Sequence, residues 1–218
     1  MRAIILAAGI GNRLSKKSGN KPKSLLEFDD KSLLQRHIDI LADNGIHEIS
    51  IVTGYQSDLI QSHLAKSNSQ IEFIDNPRYE EGSLISLSCA RERLFNEPAF
   101  ILMDADVLYH ADIMSRLVNS SHENCLLLDQ DFAPGDEPVK ICVNKDGHIN
   151  EFRKQLSDKL EFELQGESVG FFKFNQQIGR LLIEKIDMYM AIEKFETPYE
   201  EAIRDLILED ASQFAYED

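Results

Sequence analysis

The residues best placed for chemistry lie near the start of the chain. Leu6 to Leu14 reads LAAGIGNRL, and Lys21 to Leu26 follows as KPKSLL. An apolar strand ending at Ala7 would run into a turn where Gly9 and Gly11 let the backbone come close to a ligand. Successive N–H groups in such a turn form an anion nest. Arg13 and Lys23 bring positive charge to the same place, while Pro22 turns Lys21 another way. Together these features point to phosphate binding rather than to a turn decorated with surface cations. A dinucleotide fingerprint would need glycine where Leu14 stands, and a Walker A loop would need Gly-Lys-Ser/Thr, which Ser18-Gly19-Asn20-Lys21 does not supply. A second constellation is Asp104-Ala105-Asp106, after the apolar run Phe100–Met103. Strand geometry puts two carboxylates on one face, at the edge where open α/β sheets bind ligands. Magnesium takes carboxylate oxygens together with substrate phosphates, so one or both aspartates suit it. The same pair could instead cap the turn. Asp-x-Asp is also the metal motif of nucleotide-sugar glycosyltransferases, but that reading leaves Arg13 and Lys23 unexplained.

The elements that must carry these groups are legible in outline. The chain has 218 residues, 43% apolar and 28% charged, which suits one domain with an elaboration and a real core. Its formal charge of −15 argues against nucleic acid or an anionic membrane as partner. Cys89, Cys125 and Cys142 form no C-x-x-C, so the sequence gives little support to a disulfide framework or a thiolate zinc site, and a reduced, cytoplasmic setting is expected. Ala3–Ile10 is too short to span a bilayer, and no other segment approaches that length. Oligomeric state is left open. Ala3–Ala7, Glu48–Thr53, Ile71–Ile74 and Phe100–Met103 read as strands. Helical spacing marks Leu33, Leu34, His37, Ile38 and Leu41, then Leu59, Ile60, His63 and Leu64, then Leu84, Leu87, Arg91 and Leu94. This rhythm predicts an α/β fold with a mainly parallel sheet sandwiched by helices. Further strands are expected at Cys125–Leu128, Val139–Val143, Ile149–Phe152 and Ser168–Phe174, with a hairpin turn at Lys145-Asp146-Gly147-His148. A long helix carries Ile178, Leu181, Leu182, Ile186 and Tyr189, and Thr197-Pro198-Tyr199-Glu200 predicts a capping box opening another. No linker divides the chain. It is read as a single domain, residues 1–218, with a nucleotide-binding half (about 1–128) and an acceptor-binding half (about 129–218).

The spacing L-A-A-G-x-G-x-R followed by K-P-K-x-L resembles the signature of nucleotidylyltransferases that make activated sugars and alcohols. The resemblance continues through Val52–Tyr55, Tyr79–Leu87 and Met103–Val107 and covers most of the chain. Lys140, Lys154 and Gly166–Phe172 (GESVGFF) are similar to the small cytidylyltransferases that act on phosphocholine, inositol 1-phosphate or 2-aminoethylphosphonate. The resemblance implies a Rossmann-like, GT-A-like nucleotidyltransferase fold and a magnesium-dependent reaction. CTP would lie across Leu6, Ala7, Ala8, Gly9, Gly11 and Arg13, with Thr53, Gly54, Gly82, Ser83 and Asp104 also contacting the nucleotide. Arg13 and Lys23 would neutralise the triphosphate, Asp106 would hold the metal, and Lys140, Lys154 and Glu167 would receive an anionic phosphate or phosphonate acceptor. Arg13, Lys23, Asp106 and Lys154 are the catalytic candidates. The choice of cytosine rests on the resemblance alone. Phe171, Phe172, Tyr189 and Tyr199 could cage a quaternary ammonium, but at strand and helix spacing they read first as core. Asp129, Asp131, Glu167 and Glu201 could receive an amino group, or be surface charges. The resemblance also calls for a second metal carboxylate on a strand near the carboxyl end. The sequence, closing on Tyr216-Glu217-Asp218, is expected to be truncated before that strand. A sugar-1-phosphate nucleotidylyltransferase using UTP, GTP or dTTP, an Asp-x-Asp glycosyltransferase and an inactive nucleotide-binding module remain as alternatives.

Overall fold

The computed structural model describes residues 1–11, 21–65, 67, 69–133 and 135–218. The first strand, β1 (Arg2–Ala7), is followed by a short 3-10 turn at Lys23–Leu25 and a small hairpin, β2 (Glu27–Phe28) with β3 (Lys31–Ser32). Then come α1 (Leu33–Asp43), β4 (Glu48–Thr53), α2 (Ser57–Leu64), β5 (Gln70–Asp75), α3 (Ser83–Cys89), α4 (Arg91–Asn96) and β6 (Ala99–Asp104). The remainder is α5 (Ala111–Asn119), β7 (Cys125–Asp129), β8 (Lys140–Val143), β9 (Ile149–Arg153), β10 (Leu164–Asn175), α6 (Gln176–Ala191), α7 (Tyr199–Glu209) and β11 (Ala215–Glu217). No helix of the described residues is long and apolar enough to cross a membrane.

One sheet runs through the chain in the order β11-β7-β10-β6-β1-β4-β5, and β8 and β9 extend it from β10. Parallel pairs join β1 to β4 and β6, β4 to β5, and β7 to β11, whereas the long β10 is antiparallel to both β6 and β7. The ends of β1, β4, β6, β7 and β11 therefore share one edge. In the register Ala7 stands opposite Thr53 and Leu6 opposite Asp104. Alternate residues of β1 enter two cores. Ile4 joins Val52, Leu102, Phe172 and the apolar faces of α3, α4, α6 and α7. Ala3 and Ile5 join Ile51, Met103 and Phe171 under α1, α2 and α5. A sheet covered on both faces is what its continuous apolar runs require.

Two expectations are corrected. The single helix expected from Leu84 to Leu94 is two, because Ala90 N–H bonds to Leu87 O and Arg93 N–H to Ala90 O in the tighter i to i−3 pattern. The capping box at Thr197 does not form. Pro198 takes the N-cap position without a side-chain cap, and the Tyr199 N–H bonds to Ser83 Oγ at 3.0 Å. A short strand not expected from the sequence lies at Ala215–Glu217. β11 pairs with β7, and beyond it Asp218 accepts a hydrogen bond from Gln130 at the ligand edge of the sheet.

His37 shows how tightly this core is closed. It is fully buried on α1, its Nε2 bonds to Val107 O at 2.8 Å, and its Nδ1 has no partner among the described residues. That is the neutral tautomer with Nε2 as donor. Burial pushes its pKa down to about 4, against the Val107 bond and the Asp106 charge, which raise it. The unfolded chain then binds a proton below about pH 6.5 that the folded chain refuses, so this residue's contribution to stability falls as pH drops from about 6.5 toward 4. Between about pH 7.5 and about pH 5 the wild type is expected to lose about 2 kcal/mol more unfolding free energy than a His37→Gln variant, measured by urea denaturation. Parallel losses in the two proteins would show that His37 is not the group responsible.

Candidate active site

A cleft of about 160 Å³ opens at the shared strand edge, lined by Leu6, Ala7, Gly9, Gly11, Lys23 and Asp106 together with Ser24 and Ala105. Six residues predicted from the sequence to serve one phosphate or metal site are thus neighbours. Arg13 lies outside the described residues. No described residue comes within 4 Å of where a Gly9 side chain would stand, and Gly11 takes φ +71°, which favours glycine. A Cβ at Gly11 would come within 2.6 Å of Lys23 Cγ, so the lysine stem lies directly across the glycine turn. Lys23 Nζ then reaches Asp106 Oδ2 at 3.3 Å. Ser24 Oγ is buried in the same wall and has no hydrogen-bond partner among the described residues. An orphaned hydroxyl, a lysine and a glycine turn around a small opening fit a phosphate group.

The two aspartates divide their roles. Asp106 is exposed, with Lys23 as its salt-bridge partner, and its carboxylate faces the cleft. Asp104 is half-buried and does not line this cleft. Its Oδ1 accepts a hydrogen bond from Tyr199 OH at 3.1 Å, and Gly170, at φ +80°, leaves it room. Burial, with Glu200 and Asp106 adding repulsion, pushes its carboxyl up to about 8, against the Tyr199 bond. The Tyr199 bond ties the end of β6 to the start of α7. Among the described residues no three His, Cys, Asp or Glu side chains gather to hold a metal alone. A single outward carboxylate that must be completed by phosphate oxygens is a donor set magnesium accepts.

Thr53 and Gly54 end the neighbouring strand. Thr53 is fully buried and accepts a hydrogen bond from Ser57 Oγ at 2.8 Å, and a Cβ at Gly54 would strike Tyr79 Cβ at 2.5 Å. Gly82 is the N-cap of α3, and a Cβ there would meet Phe195 O at 2.6 Å. Ser83 does not cap its own helix, because its Oγ receives the Tyr199 N–H. Gly82 and Ser83 therefore tie the start of α3 to the connection between α6 and α7.

The acceptor candidates separate in the same way. Lys140 Nζ donates to the carbonyls of Gly135 (2.6 Å), Pro138 (3.3 Å) and Lys154 (2.6 Å). An ammonium has three donors, so Lys140 is spent on fixing the backbone around Lys154, and its expected place against the acceptor is corrected to a positioning one. Glu167 pairs in register with Lys140 and Asp129 on the sheet. Burial and Asp129 push its carboxyl up, with Lys140 opposing. Lys154 lines a larger cavity of about 580 Å³ with Arg153, Glu200 and Glu201. Glu137 is its carboxylate partner, at 3.7 Å. Phe171, Phe172 and Tyr199 are core residues, as their spacing suggested, and Tyr189 OH bonds to Asp205. Sequence reasoning missed Arg153 and Glu200, which carry no local signal. It also missed Tyr199 as the partner of Asp104, a contact made across 95 positions of chain.

The family model for the MobA-like NTP transferase domain matches residues 3–169. The chain is 30% identical over 207 residues to the CTP:phosphoglutamine cytidylyltransferase of Campylobacter jejuni, covering 89% of this chain and 79% of that protein. It is 35% identical over 107 residues to the choline-phosphate cytidylyltransferase of Streptococcus pneumoniae, covering 49% of this chain and 44% of that one. The inositol-1-phosphate CTP transferase of T. maritima shares its fold, with a TM-score of 0.75 and 16% identity over all of this chain and 84% of the other. A family match across most of the chain, on a fold whose strand ends hold a glycine turn, a lysine and an outward aspartate, has one consequence: the protein belongs to the MobA-like NTP transferase domain family and is a nucleotidyltransferase.

Proposed function

We propose that the protein transfers CMP from CTP to a small phosphorylated alcohol or phosphonate and releases pyrophosphate. The observation that carries this is the cleft in which Lys23, lying across Gly11, meets Asp106 beside an orphaned Ser24 hydroxyl. The CTP-dependent relatives support cytosine as the base. The triphosphate lies along Leu6–Gly11, where backbone N–H groups and Lys23 offset its charge, with Arg13 joining them. Asp106 and the phosphate oxygens would hold magnesium, which when bound draws charge from the α-phosphate and from the departing pyrophosphate. The base rests toward Gly82 and Ser83, near Thr53 and Gly54. Lys154, its backbone fixed by Lys140, holds the acceptor's phosphate. An acceptor oxygen attacks the α-phosphorus in line, a P–O bond forms, and the bond to the β-phosphate oxygen breaks. The attacking acceptor oxygen is already ionised at neutral pH, so no side chain need remove a proton. Catalysis is then positioning plus charge stabilisation.

The test is pyrophosphate release with magnesium. Each of CTP, UTP, GTP and dTTP is offered with phosphocholine, 2-aminoethylphosphonate, inositol 1-phosphate and several sugar 1-phosphates. Release with CTP and a small non-sugar acceptor is expected, and it should stop on chelation of the metal. Release only with UTP, GTP or dTTP and a sugar phosphate would replace this reading with sugar activation. Silence in protein that still binds CTP would make it a binding module.

A further inference from the structure

Asp106 sits where the chain has left the sheet. β6 ends at Asp104, α5 begins at Ala111, and the residues between them alternate in exposure. Ala105 is buried and Val107 and Tyr109 are half-buried, whereas Asp106, Leu108 and His110 are exposed. Such alternation is what an extended segment shows when one face lies on the core. No neighbouring strand holds this one. Among the described residues, no bond from main chain to main chain reaches Asp106, Val107, Leu108 or Tyr109. The inner face is held instead by His37, fully buried on α1, whose Nε2 donates to Val107 O at 2.8 Å. The His37 ring also meets the Tyr109 ring edge-on, with centroids 5.2 Å apart. Both rings lie against Phe171 of β10, at 6.0 and 4.6 Å. One side chain thus contacts the two inward residues on either side of Leu108. It holds that place at a cost, because its Nδ1 is buried and has no partner among the described residues.

We infer that His37 is a positioning residue for Asp106: by donating to Val107 O and packing on Tyr109, it keeps the segment extended with the Asp106 carboxylate on the cleft side. This rests on the reading above, in which Asp106 and the phosphate oxygens hold magnesium, and it names what holds Asp106. A segment without ladder bonds opens easily, so one buried bond to it has leverage. A carboxylate that completes a metal site must be placed to within about 0.5 Å. With the donor gone, Val107 O turns toward water to regain a partner, and that turn carries the adjoining Asp106 out of line. Lys23 cannot substitute for His37. Its pair with Asp106 is partly exposed, and it must open when a metal takes the carboxylate.

The experiment compares the wild type with His37→Leu, which removes the donor and fills the core, and with His37→Gln, which keeps an N–H within reach of Val107 O. Two readouts are taken below each protein's melting transition. One is kcat and the KM for CTP, with the acceptor that the wild type turns over fastest. The other is Mn²⁺ affinity, from the electron paramagnetic resonance signal of free Mn²⁺, in protein bound to α,β-methylene-CTP. His37→Leu is expected to lower kcat by about 10²-fold while moving the KM for CTP less than about 3-fold, and to weaken Mn²⁺ binding by about 10-fold. His37→Gln should stay within about 3-fold of the wild type in both readouts. Tyr109→Leu loosens the same segment from its other contact, so it keeps the test decisive if His37→Leu does not fold. It should lower kcat by about 10-fold and weaken Mn²⁺ binding likewise. A side chain that only packs would change the melting temperature and leave Mn²⁺ binding and the kcat of folded protein alone. That result would overturn the role, as would a His37→Gln as impaired as His37→Leu. Asp106→Asn, carried alongside, separates this role from the metal reading. If Asp106→Asn loses Mn²⁺ and turnover while His37→Leu keeps both, only the role of His37 falls. If Asp106→Asn keeps both, the metal reading falls and this role with it. Should CTP be turned over with no acceptor, the proposed reaction falls, and the Mn²⁺ readout still decides His37.

Discussion

Lys23→Ala is expected to lower kcat/KM by about 10³-fold, and Asp106→Asn to lower kcat by at least that much, while both variants melt within a few degrees of the wild type. The reasoning begins with charge. In a chain of net −15, a triphosphate is held only where cations and N–H groups converge, and among the described residues lining the cleft Lys23 is the sole cation. Its ion pair with Asp106 is partly exposed, so its loss costs folding little. The glycine turn supplies an independent check. Gly11→Ala removes no charge, but its Cβ would displace the Lys23 stem at 2.6 Å and force a side chain into φ +71°. It should therefore reproduce much of the Lys23→Ala defect in turnover. Near-normal rates in either Lys23→Ala or Asp106→Asn would take that residue out of the mechanism. Full activity in Gly11→Ala would show that the lysine does not need its place across the turn.

Why the sequence disclosed this cleft and not the acceptor cavity follows from the range of the contacts. Ala3–Ala7 and Phe100–Met103 are continuous apolar runs, and continuous runs mean strands covered on both faces. Once β1 and β6 are neighbours, the glycine turn after one and Asp106 after the other must meet at one edge, so local pattern plus one topological rule suffices. The acceptor side has no such shortcut. Lys140 and Lys154 read alike as cations in the second half, yet only the three-dimensional structure shows Lys140 consumed by three carbonyls. Glu200 read as part of a capping box, yet Pro198 takes the N-cap position and Ser83, far away in sequence, satisfies the Tyr199 N–H. The division of Asp104 and Asp106 into a carboxylate held by Tyr199 and one that lines the cleft also depends on Tyr199 and Gly170, elements that pack long after the Asp-x-Asp in the chain. β11 was missed because three residues of mixed character give no periodic signal.

Gly170→Ala should expose that last dependence. Two costs add at this position. The φ of +80° is strained for any L-side chain, by about 1 kcal/mol. The new Cβ would also stand 2.6 Å from Asp104 Oδ2 and 3.3 Å from its Cγ. A long, exposed side chain could swing away from such a contact. Asp104 cannot, because it is short, half-buried and held by Tyr199 OH. The strand ends must therefore part, and the expected loss is about 3 kcal/mol, or about 8 °C in melting temperature. Parting β10 from the end of β6 also moves Asp106, two residues on, so turnover should fall by about 10-fold in protein that remains folded. Gly147→Ala is the control for backbone strain alone. It shares a positive φ of +82° but has nothing within 4 Å of the new carbon, so it should cost only the first term. Adding Asp104→Ala to Gly170→Ala should recover more than 1 kcal/mol of the loss, since it removes the atoms struck and leaves the strain. If Gly170→Ala were no worse than Gly147→Ala, Asp104 would not be wedged against the strand. That carboxylate would then be free to reach the cleft, and the division of labour between the two aspartates would fall with it.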